Sequence, residues 1–126
     1  MAEQTVQIDS SAGADELWGK VGDFAGIGGW FPGIDSCRIE GDVRVLALGT
    51  MEIREQLIER DEAARSITYS VIGGVPVESH RATVKVTPNG NGSTITWTVD
   101  VEPEEMLPIF ADTYRQALET LAASVG

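Results

Sequence analysis

The stretch from Ser36 to Val101 alternates apolar and polar residues with a period of two, and this pattern limits the possible folds more than any other feature of the sequence. Short turn signals interrupt it at Glu40-Gly41, Gly49-Thr50, Asp61 to Ala64, Gly73-Gly74 and Pro88 to Gly92. The pattern predicts six consecutive strands. Because every connection is short, strands that are neighbours in sequence should pair antiparallel as a meander, which excludes a parallel doubly wound sheet.

The segments before this meander predict one further strand and two short helices. Thr5 to Asp9 alternates as a strand, and Ser10-Ser11 offers N-cap oxygens ahead of a short helix from Ala14 to Val21. Asp23-Phe24 then opens a second helical turn. The glycines that follow lack the spacing and the Lys-Ser/Thr pair of a phosphate-binding loop, so no nucleotide-binding motif is predicted.

The segment after Glu102-Pro103 predicts a long amphipathic helix that begins near Leu107, since Pro108 is tolerated only in a first helical turn. An amphipathic helix and a large sheet bury their apolar faces on each other. We therefore expect one α+β domain over residues 1–126, in which a curved antiparallel sheet of about seven strands wraps around this long C-terminal helix. The apolar helix residues recur at three- and four-residue spacing: Phe110, Tyr114, Ala117, Leu118, Leu121 and Val125.

Charge and cysteine content narrow the class of partner. Nine basic against twenty acidic residues give a net charge of -11, which repels phosphate backbones and anionic lipid head groups, so neither nucleic acid nor membrane insertion is expected. The single cysteine, Cys37, can form neither an internal disulfide nor a metal site, and we interpret it as a small buried apolar residue. The polar N-terminus lacks the features of a secretory signal, and a cytoplasmic location is expected.

The hairpin loop at Gly49-Thr50 predicts the register of the strands on either side of it. Arg44 then lies opposite Glu55, on a face otherwise made of Leu46, Leu48, Met51 and Ile53. A guanidinium and a carboxylate directed inward lose several kcal/mol each on desolvation. The burial of such a pair therefore needs a functional or structural explanation. One interpretation is a polar handle inside an apolar pocket, where Arg44 binds an oxygen or an anionic group of the ligand and Glu55 accepts or returns a proton. The alternatives are a structural ion pair near the sheet edge or a slip in register.

Further residues of inward parity are candidates for the pocket wall. Trp30 and Phe31 lie in a glycine-rich loop, where large aromatic side chains could form a lid over the pocket or simply fill one end of the core. His80 is the only histidine, and a lone histidine among apolar neighbours is more often a hydrogen-bonded core residue than a catalyst. The remaining candidates are Leu46, Ile53, Tyr69, Trp97, Phe110 and Tyr114.

A resemblance to a known family rests on residues spread over nearly the whole chain: Trp18, Val21, Asp23-Phe24, Gly29 to Ile34 and Ser36-Cys37, then Glu55 to Leu57, Asp61 to Arg65, Tyr69, Ala82-Thr83, Val86 to Pro88 and Trp97. Their order and spacing resemble the SRPBCC superfamily, which is START-like and has a helix-grip fold, and especially its polyketide cyclase/dehydrase group. That resemblance implies a cavity for a small hydrophobic ligand of lipid, polyketide or aromatic type.

Within that superfamily the chain is similar to the lachrymatory-factor-synthase-like branch, where a Trp-Phe-Pro segment precedes an inward Arg and an inward Glu on adjacent strands. The resemblance implies that Arg44 and Glu55 occupy catalytic positions, with the Arg holding an oxygen and the Glu moving a proton. The chain departs from the expected pattern at His80, where an aromatic residue would be usual.

Three hypotheses about function follow. The first is a binding protein for a small, mostly apolar molecule that needs no cofactor and acts as a monomer or homodimer. The second is a cofactor-independent cyclase, dehydratase or isomerase with Glu55 as general acid/base and Arg44 as oxyanion binder. The third is a protein-interaction domain with a filled core. A cavity of roughly 300 Å³ or more would favour the first two over the third.

Overall fold

The computed structural model describes residues 3–124, and its elements follow the predicted order. Val125, predicted on the apolar face of the last helix, lies outside the described residues. The helices are α1 (Ala14–Val21) and α2 (Leu107–Ser124), with two 3₁₀ helices at Phe24–Gly29 and Glu104–Met106. The strands are β1 (Glu3–Ser10), β2 (Ser36–Glu40), β3 (Val43–Leu48), β4 (Met51–Asp61), β5 (Ser66–Gly73), β6 (Ser79–Asn89) and β7 (Gly92–Glu102).

The strands form one antiparallel sheet in the order β1-β7-β6-β5-β4-β3-β2. The six strands from β2 to β7 are the predicted meander, and β1 joins it by pairing with β7. Gly49 has a φ of 64°, the left-handed conformation that glycine adopts without strain and that a tight hairpin needs. The predicted antiparallel sheet and its strand neighbours are therefore confirmed.

The curvature of the sheet has a local cause in β4. Its pairing with β5 shifts register between Arg54 and Glu55 and again between Leu57 and Glu59. Such bulges insert an unpaired residue into one strand and bend it. These two irregularities therefore bend β4 where it borders β5.

Helix α2 packs its apolar stripe on the concave face of the sheet. Ala117, Leu118 and Leu121 are fully buried there, opposite β1 and β7. Strand β7, which lies between β1 and β6, alternates strictly, so that Ile95 and Trp97 are buried while Thr96 between them is partly exposed. Burial of one leucine-sized side chain stabilises the fold by roughly 1.5–3 kcal/mol, so this stripe holds the helix in place.

The predicted N-cap of α1 is wrong. The N-cap residue is Gly13, because β1 stays paired with β7 as far as Ser10, which commits the Ser10 backbone to the sheet. The hydroxyl of Ser10 instead accepts a hydrogen bond from the backbone N–H of Ala12 at 3.1 Å. The predicted second helical turn is present as the 3₁₀ helix that follows Asp23.

The outer face of β2, β3 and β4, opposite the face of Arg44 and Glu55, carries charged side chains. Arg38 and Arg54 each form ion pairs with Glu40 and Glu52. Val45 lies between the two arginines on this face and is 2 % exposed, which fits coverage by their aliphatic stems.

Cys37 is half-buried and packs at the edge of the core, so the predicted full burial is wrong. The reason is its place on β2, the edge strand of the sheet, which has a neighbouring strand on one side only. Burial still raises the pKa of the Cys37 thiol, with a smaller opposing effect from Arg44. The thiol is therefore a weak nucleophile, in keeping with its interpretation as an apolar residue.

Candidate functional site

Arg44 and Glu55 face each other across the β3–β4 hairpin and point into the interior. Arg44 is 4 % and Glu55 7 % exposed. The Arg44 Nε donates a hydrogen bond to Glu55 Oε1 at 2.7 Å. The predicted register and burial of the pair are confirmed, and its chemical role stays a prediction.

Arg44 is enclosed by groups other than a ligand. Its Nη1 donates to the carbonyl oxygen of Phe24 at 3.0 Å. Its guanidinium carbon lies over two aromatic rings, 4.3 Å from the centre of the Phe24 ring and 4.9 Å from that of Tyr69. These contacts fix the guanidinium behind Glu55, and Arg44 is not part of the wall of the cavity described next.

A cavity of about 330 Å³ lies between the concave face of β3, β4 and β5 and the first turns of α2. Among the described residues that line it, Glu55 is the only charged one. Of the residues predicted from the sequence, the wall contains Phe31, Leu46, Ile53, Tyr69, Phe110 and Tyr114. The walls are therefore apolar apart from a few hydroxyl groups and one carboxyl group.

The electrostatic setting of Glu55 favours a carboxyl group that can exchange a proton. Burial raises its pKa, and the nearby charge of Arg44 and the hydrogen bond from it oppose this shift. Within residues 3–124, the carboxylate of Glu55 accepts one hydrogen bond, which Arg44 donates to Oε1. The second oxygen is thus available to a molecule in the cavity.

The other three predicted residues, Trp30, His80 and Trp97, lie behind the wall and do not line the cavity. Trp97 stacks on Tyr114 with ring centres 3.9 Å apart and nearly parallel planes, and Trp30 contacts both Trp97 and Phe31. In the described part of the chain, the indole N–H groups of both tryptophans are buried without a well-formed hydrogen bond, although that of Trp97 lies near the Tyr69 hydroxyl. These side chains support the wall and set its shape.

His80 is buried and bound on both ring nitrogens. Its Nδ1 accepts a hydrogen bond from the backbone N–H of Val71 at 3.1 Å, and its Nε2 lies 2.9 Å from the hydroxyl oxygen of Tyr114. Burial lowers the pKa of His80 to about 4. The histidine is therefore neutral near pH 7, and it lies directly behind lining residues of the cavity, which include Val71, Phe110 and Tyr114.

The sequence reasoning missed part of the wall, above all near the cavity mouth. Met51 and Ile109 are 48 % and 58 % exposed, which is unusual for large apolar residues and marks where the cavity opens. Met106 escaped prediction because the helix was expected to begin near Leu107, yet its four-residue spacing from Phe110 was a usable signal. The lining residues not predicted as ligand-binding are Ile27, Ile34, Leu48, Met51, Val71, Val75, Met106, Ile109 and Thr113.

A family model described as "Polyketide cyclase / dehydrase and lipid transport" matches residues 1–126, the full length of the chain. The chain belongs to this family. The polyketide cyclase/dehydrase family resemblance predicted from the sequence is thus confirmed, and the finer placement in a lachrymatory-factor-synthase-like branch stays a prediction. No curated protein matches the chain.

Solved structures similar to this family member agree on the fold. The protein XoxI from Bacillus cereus is 26 % identical with a TM-score of 0.93, and the match covers 99 % of this chain and 96 % of that one. A protein from Thermobifida fusca is 31 % identical with a TM-score of 0.86, covering 97 % and 91 %. A START superfamily protein from Mycobacterium smegmatis is 16 % identical with a TM-score of 0.79, covering 98 % and 99 %, which shows the START-like helix-grip fold alone.

Membership of the polyketide cyclase/dehydrase and lipid transport family indicates a hydrophobic ligand, and the apolar cavity has the matching chemistry. Among residues 3–124, no group of three or more His, Cys, Asp or Glu side chains is placed to hold a metal ion. No helix in that range is both long and apolar enough to cross a membrane.

Proposed function

We propose that this protein binds one small, mostly apolar molecule in the cavity of about 330 Å³, with the Arg44–Glu55 pair as its polar anchor. The observation that carries the proposal is the contrast within the part of the wall that residues 3–124 form, where a single carboxyl group lies among apolar and aromatic side chains. A volume of this size suits a ligand of roughly one to three fused rings or a short acyl chain.

Within the pair, Glu55 contacts the ligand and Arg44 acts on Glu55. The two Arg44 donors that make hydrogen bonds are directed at Glu55 and at the Phe24 carbonyl, and its guanidinium lies over the rings of Phe24 and Tyr69. A ligand that offers a hydroxyl, an amine or another hydrogen-bond donor to Glu55 therefore fits better than a carboxylate seeking Arg44.

Native mass spectrometry of the freshly purified protein tests for a co-purified molecule. Titration with ethylnaphthalene, a hydrocarbon that fits the volume, tests the cavity directly. Ile53→Trp places an indole in the wall and should abolish binding, whereas Ile72→Trp adds the same bulk at a residue that is 53 % exposed and outside the cavity, and should leave binding unchanged. Equal affinity in both variants would contradict the proposal.

A second function, as a cofactor-independent cyclase, dehydratase or isomerase, is favoured by one observation. Glu55 is a carboxyl group with a raised pKa beside an apolar cavity, which is the setting of a general acid/base. Arg44 would then keep Glu55 oriented and offset its charge after proton transfer. The lachrymatory-factor-synthase-like resemblance supports the same two residues as a prediction.

The variant Glu55→Gln distinguishes the binding function from the enzymatic one, because an amide keeps the shape of the carboxyl group but cannot take up a proton. With a substrate found by mass spectrometry, the enzyme hypothesis predicts that turnover is lost while affinity stays within about tenfold. Loss of affinity equal to the loss of turnover would show that Glu55 only binds.

A further inference from the structure

Strands β5 and β6 separate beside the cavity, and a histidine ring fills the gap. They pair from Ser66 to Tyr69, and beyond this point the backbone N–H of Val71 donates to the His80 ring instead of to a backbone oxygen. The carbonyl of His80 accepts a hydrogen bond from the Ser70 hydroxyl. The ring of His80 thus replaces a backbone hydrogen bond that would otherwise join the two strands.

These contacts fix where the proton of His80 lies. A ring nitrogen that accepts a hydrogen bond carries no proton, so Nδ1, which accepts from Val71 at 3.1 Å, is bare. A neutral imidazole then carries its proton on Nε2. Since Nε2 lies 2.9 Å from the Tyr114 oxygen, His80 donates and Tyr114 accepts.

The orientation of His80 decides what the Tyr114 hydroxyl can do. Its oxygen already accepts from His80, so its own proton must be donated elsewhere. Burial above all raises the pKa of Tyr114, with a further contribution from the neighbouring Tyr69, so the hydroxyl keeps this proton at neutral pH. The Tyr69 hydroxyl lies near enough to attract this proton, but within residues 3–124 no hydrogen bond of good geometry joins the two tyrosines. Both tyrosines are part of the cavity wall, so a ligand oxygen can compete with Tyr69 for the proton of Tyr114.

We propose that His80 is a positioning residue that makes the Tyr114 hydroxyl a hydrogen-bond donor to the ligand. The cavity then favours mostly apolar molecules that carry a carbonyl, ester or ether oxygen for Tyr114 in addition to the hydrogen-bond donor for Glu55. The stack of Trp97 on Tyr114 supports the geometry, because it prevents the phenol ring from turning away. This inference rests on the proposed binding function and adds to it the class of polar group that the ligand carries.

The tautomer of His80 can be measured directly. The chain has one histidine, so nitrogen NMR of uniformly labelled protein gives one unambiguous pair of ring resonances. At neutral pH we expect the protonated nitrogen to be Nε2. A proton on Nδ1 would reverse the direction of the hydrogen bond to Tyr114 and would overturn the proposal.

Selectivity is tested with acetylnaphthalene and ethylnaphthalene, which differ mainly by one carbonyl oxygen. Tyr114→Phe and His80→Phe should each lower the affinity for the ketone about three- to tenfold relative to the hydrocarbon. His80→Gln should retain the preference of the wild type, because its amide oxygen can accept from Val71 and its amide nitrogen can donate to Tyr114. Unchanged affinity for ethylnaphthalene shows that the cavity of each variant is intact.

The two possible failures are distinguishable. If ethylnaphthalene and acetylnaphthalene bind the wild type but every variant shows the same ratio of affinities, the role of His80 and Tyr114 is overturned while the binding function stands. If neither probe binds the wild type and no molecule co-purifies, the binding function is overturned and this inference with it. Tyr114→Phe, which keeps the ring stacked on Trp97, supplies the comparison should His80→Phe not fold.

Discussion

Arg44 uses Nε on Glu55 and Nη1 on the carbonyl of Phe24, and its guanidinium lies over two aromatic rings. A buried ion pair of this kind rarely stabilises a fold relative to well-packed apolar residues, because desolvation offsets most of the attraction. Removing only one partner destabilises the fold strongly, since the other charge is then left buried without compensation. The pair is thus better explained by its place beside the cavity than by stability.

This reasoning predicts the stability of two variants. Arg44→Met should lower the free energy of unfolding by about 3–5 kcal/mol, since Glu55 loses its counterion. The double variant Arg44→Met/Glu55→Leu should recover most of that loss, because it leaves no unpaired charge. Urea unfolding followed by tryptophan fluorescence measures both values. A double variant no more stable than the single one would show that Arg44 contributes chiefly through its own packing.

At the scale of single residues, His80 should also make the stability of the fold depend on pH. Burial lowers its pKa to about 4, below the usual value near 6.5, so the unfolded chain binds a proton more readily than the folded one between these values. Its contribution to stability is fully present above about pH 6.5 and is lost as the pH falls toward 4. Glu55, whose pKa burial raises, acts in the opposite sense, since its contribution is lost as the pH rises.

The His80 contribution is isolated by comparing the wild type with His80→Gln, in which Glu55 and the surface carboxylates are unchanged. Between about pH 7 and about pH 4.5, the wild type should lose roughly 2–3 kcal/mol more stability than the variant. Denaturant unfolding at the two pH values measures this difference. Equal losses in both proteins would mean that His80 titrates normally.

At the scale of elements, the connection from β5 to β6 closes one side of the cavity. Gly74 lies in this connection with a φ of 90°, and a Cβ atom built on it would lie 2.0 Å from the backbone oxygen of Glu52 in β4. Val75, the next residue, lines the cavity. The close approach of two backbones at Gly74 therefore sets how near Val75 comes to the ligand.

Gly74→Ala should lower the free energy of unfolding by about 2–5 kcal/mol, because it combines left-handed strain with a clash against rigid backbone. Gly90→Ala is a matched control, since Gly90 has a φ of 62° and no atom within 4 Å of the built Cβ, and it should cost about 1–2 kcal/mol. Thermal and denaturant unfolding measure both. Similar losses in the two variants would show that the loop moves away freely from Glu52.

At the scale of the whole molecule, the cavity wall comes from segments far apart in the chain. Leu46 in β3, Tyr69 in β5 and Phe110 in α2 meet only in the folded state. The unfolded chain consequently has no binding site. A ligand should therefore stabilise the entire fold by mass action and not just the segments that it contacts.

Ethylnaphthalene at about 100 times its dissociation constant should raise the free energy of unfolding by about 2.7 kcal/mol. For a chain of this length that corresponds to a rise in Tm of about 10 °C. Differential scanning calorimetry measures the shift, with Ile53→Trp as the variant that should show none. A similar shift in Ile53→Trp would place the binding site outside the cavity.

The sequence by itself determined the order of the six strands β2 to β7, the register of the β3–β4 hairpin and the presence of α2, but not the pairing of β1 with β7. These features depend on local signals: a period of two, glycine at tight turns, and a three- and four-residue apolar spacing. The same signals placed Arg44 opposite Glu55. They also predicted that both side chains point inward, since side chains alternate between the two faces of a strand.

Only the tertiary structure decided which of the inward residues meet the cavity. Arg44 and Glu55 share one face, yet the carbonyl of Phe24 and two rings hold Arg44 behind the wall. Trp30, His80 and Trp97 likewise lie a layer behind it. The physical reason is that the depth of a side chain depends on the bulges that bend β4 and on contacts between segments distant in sequence, neither of which a local pattern records.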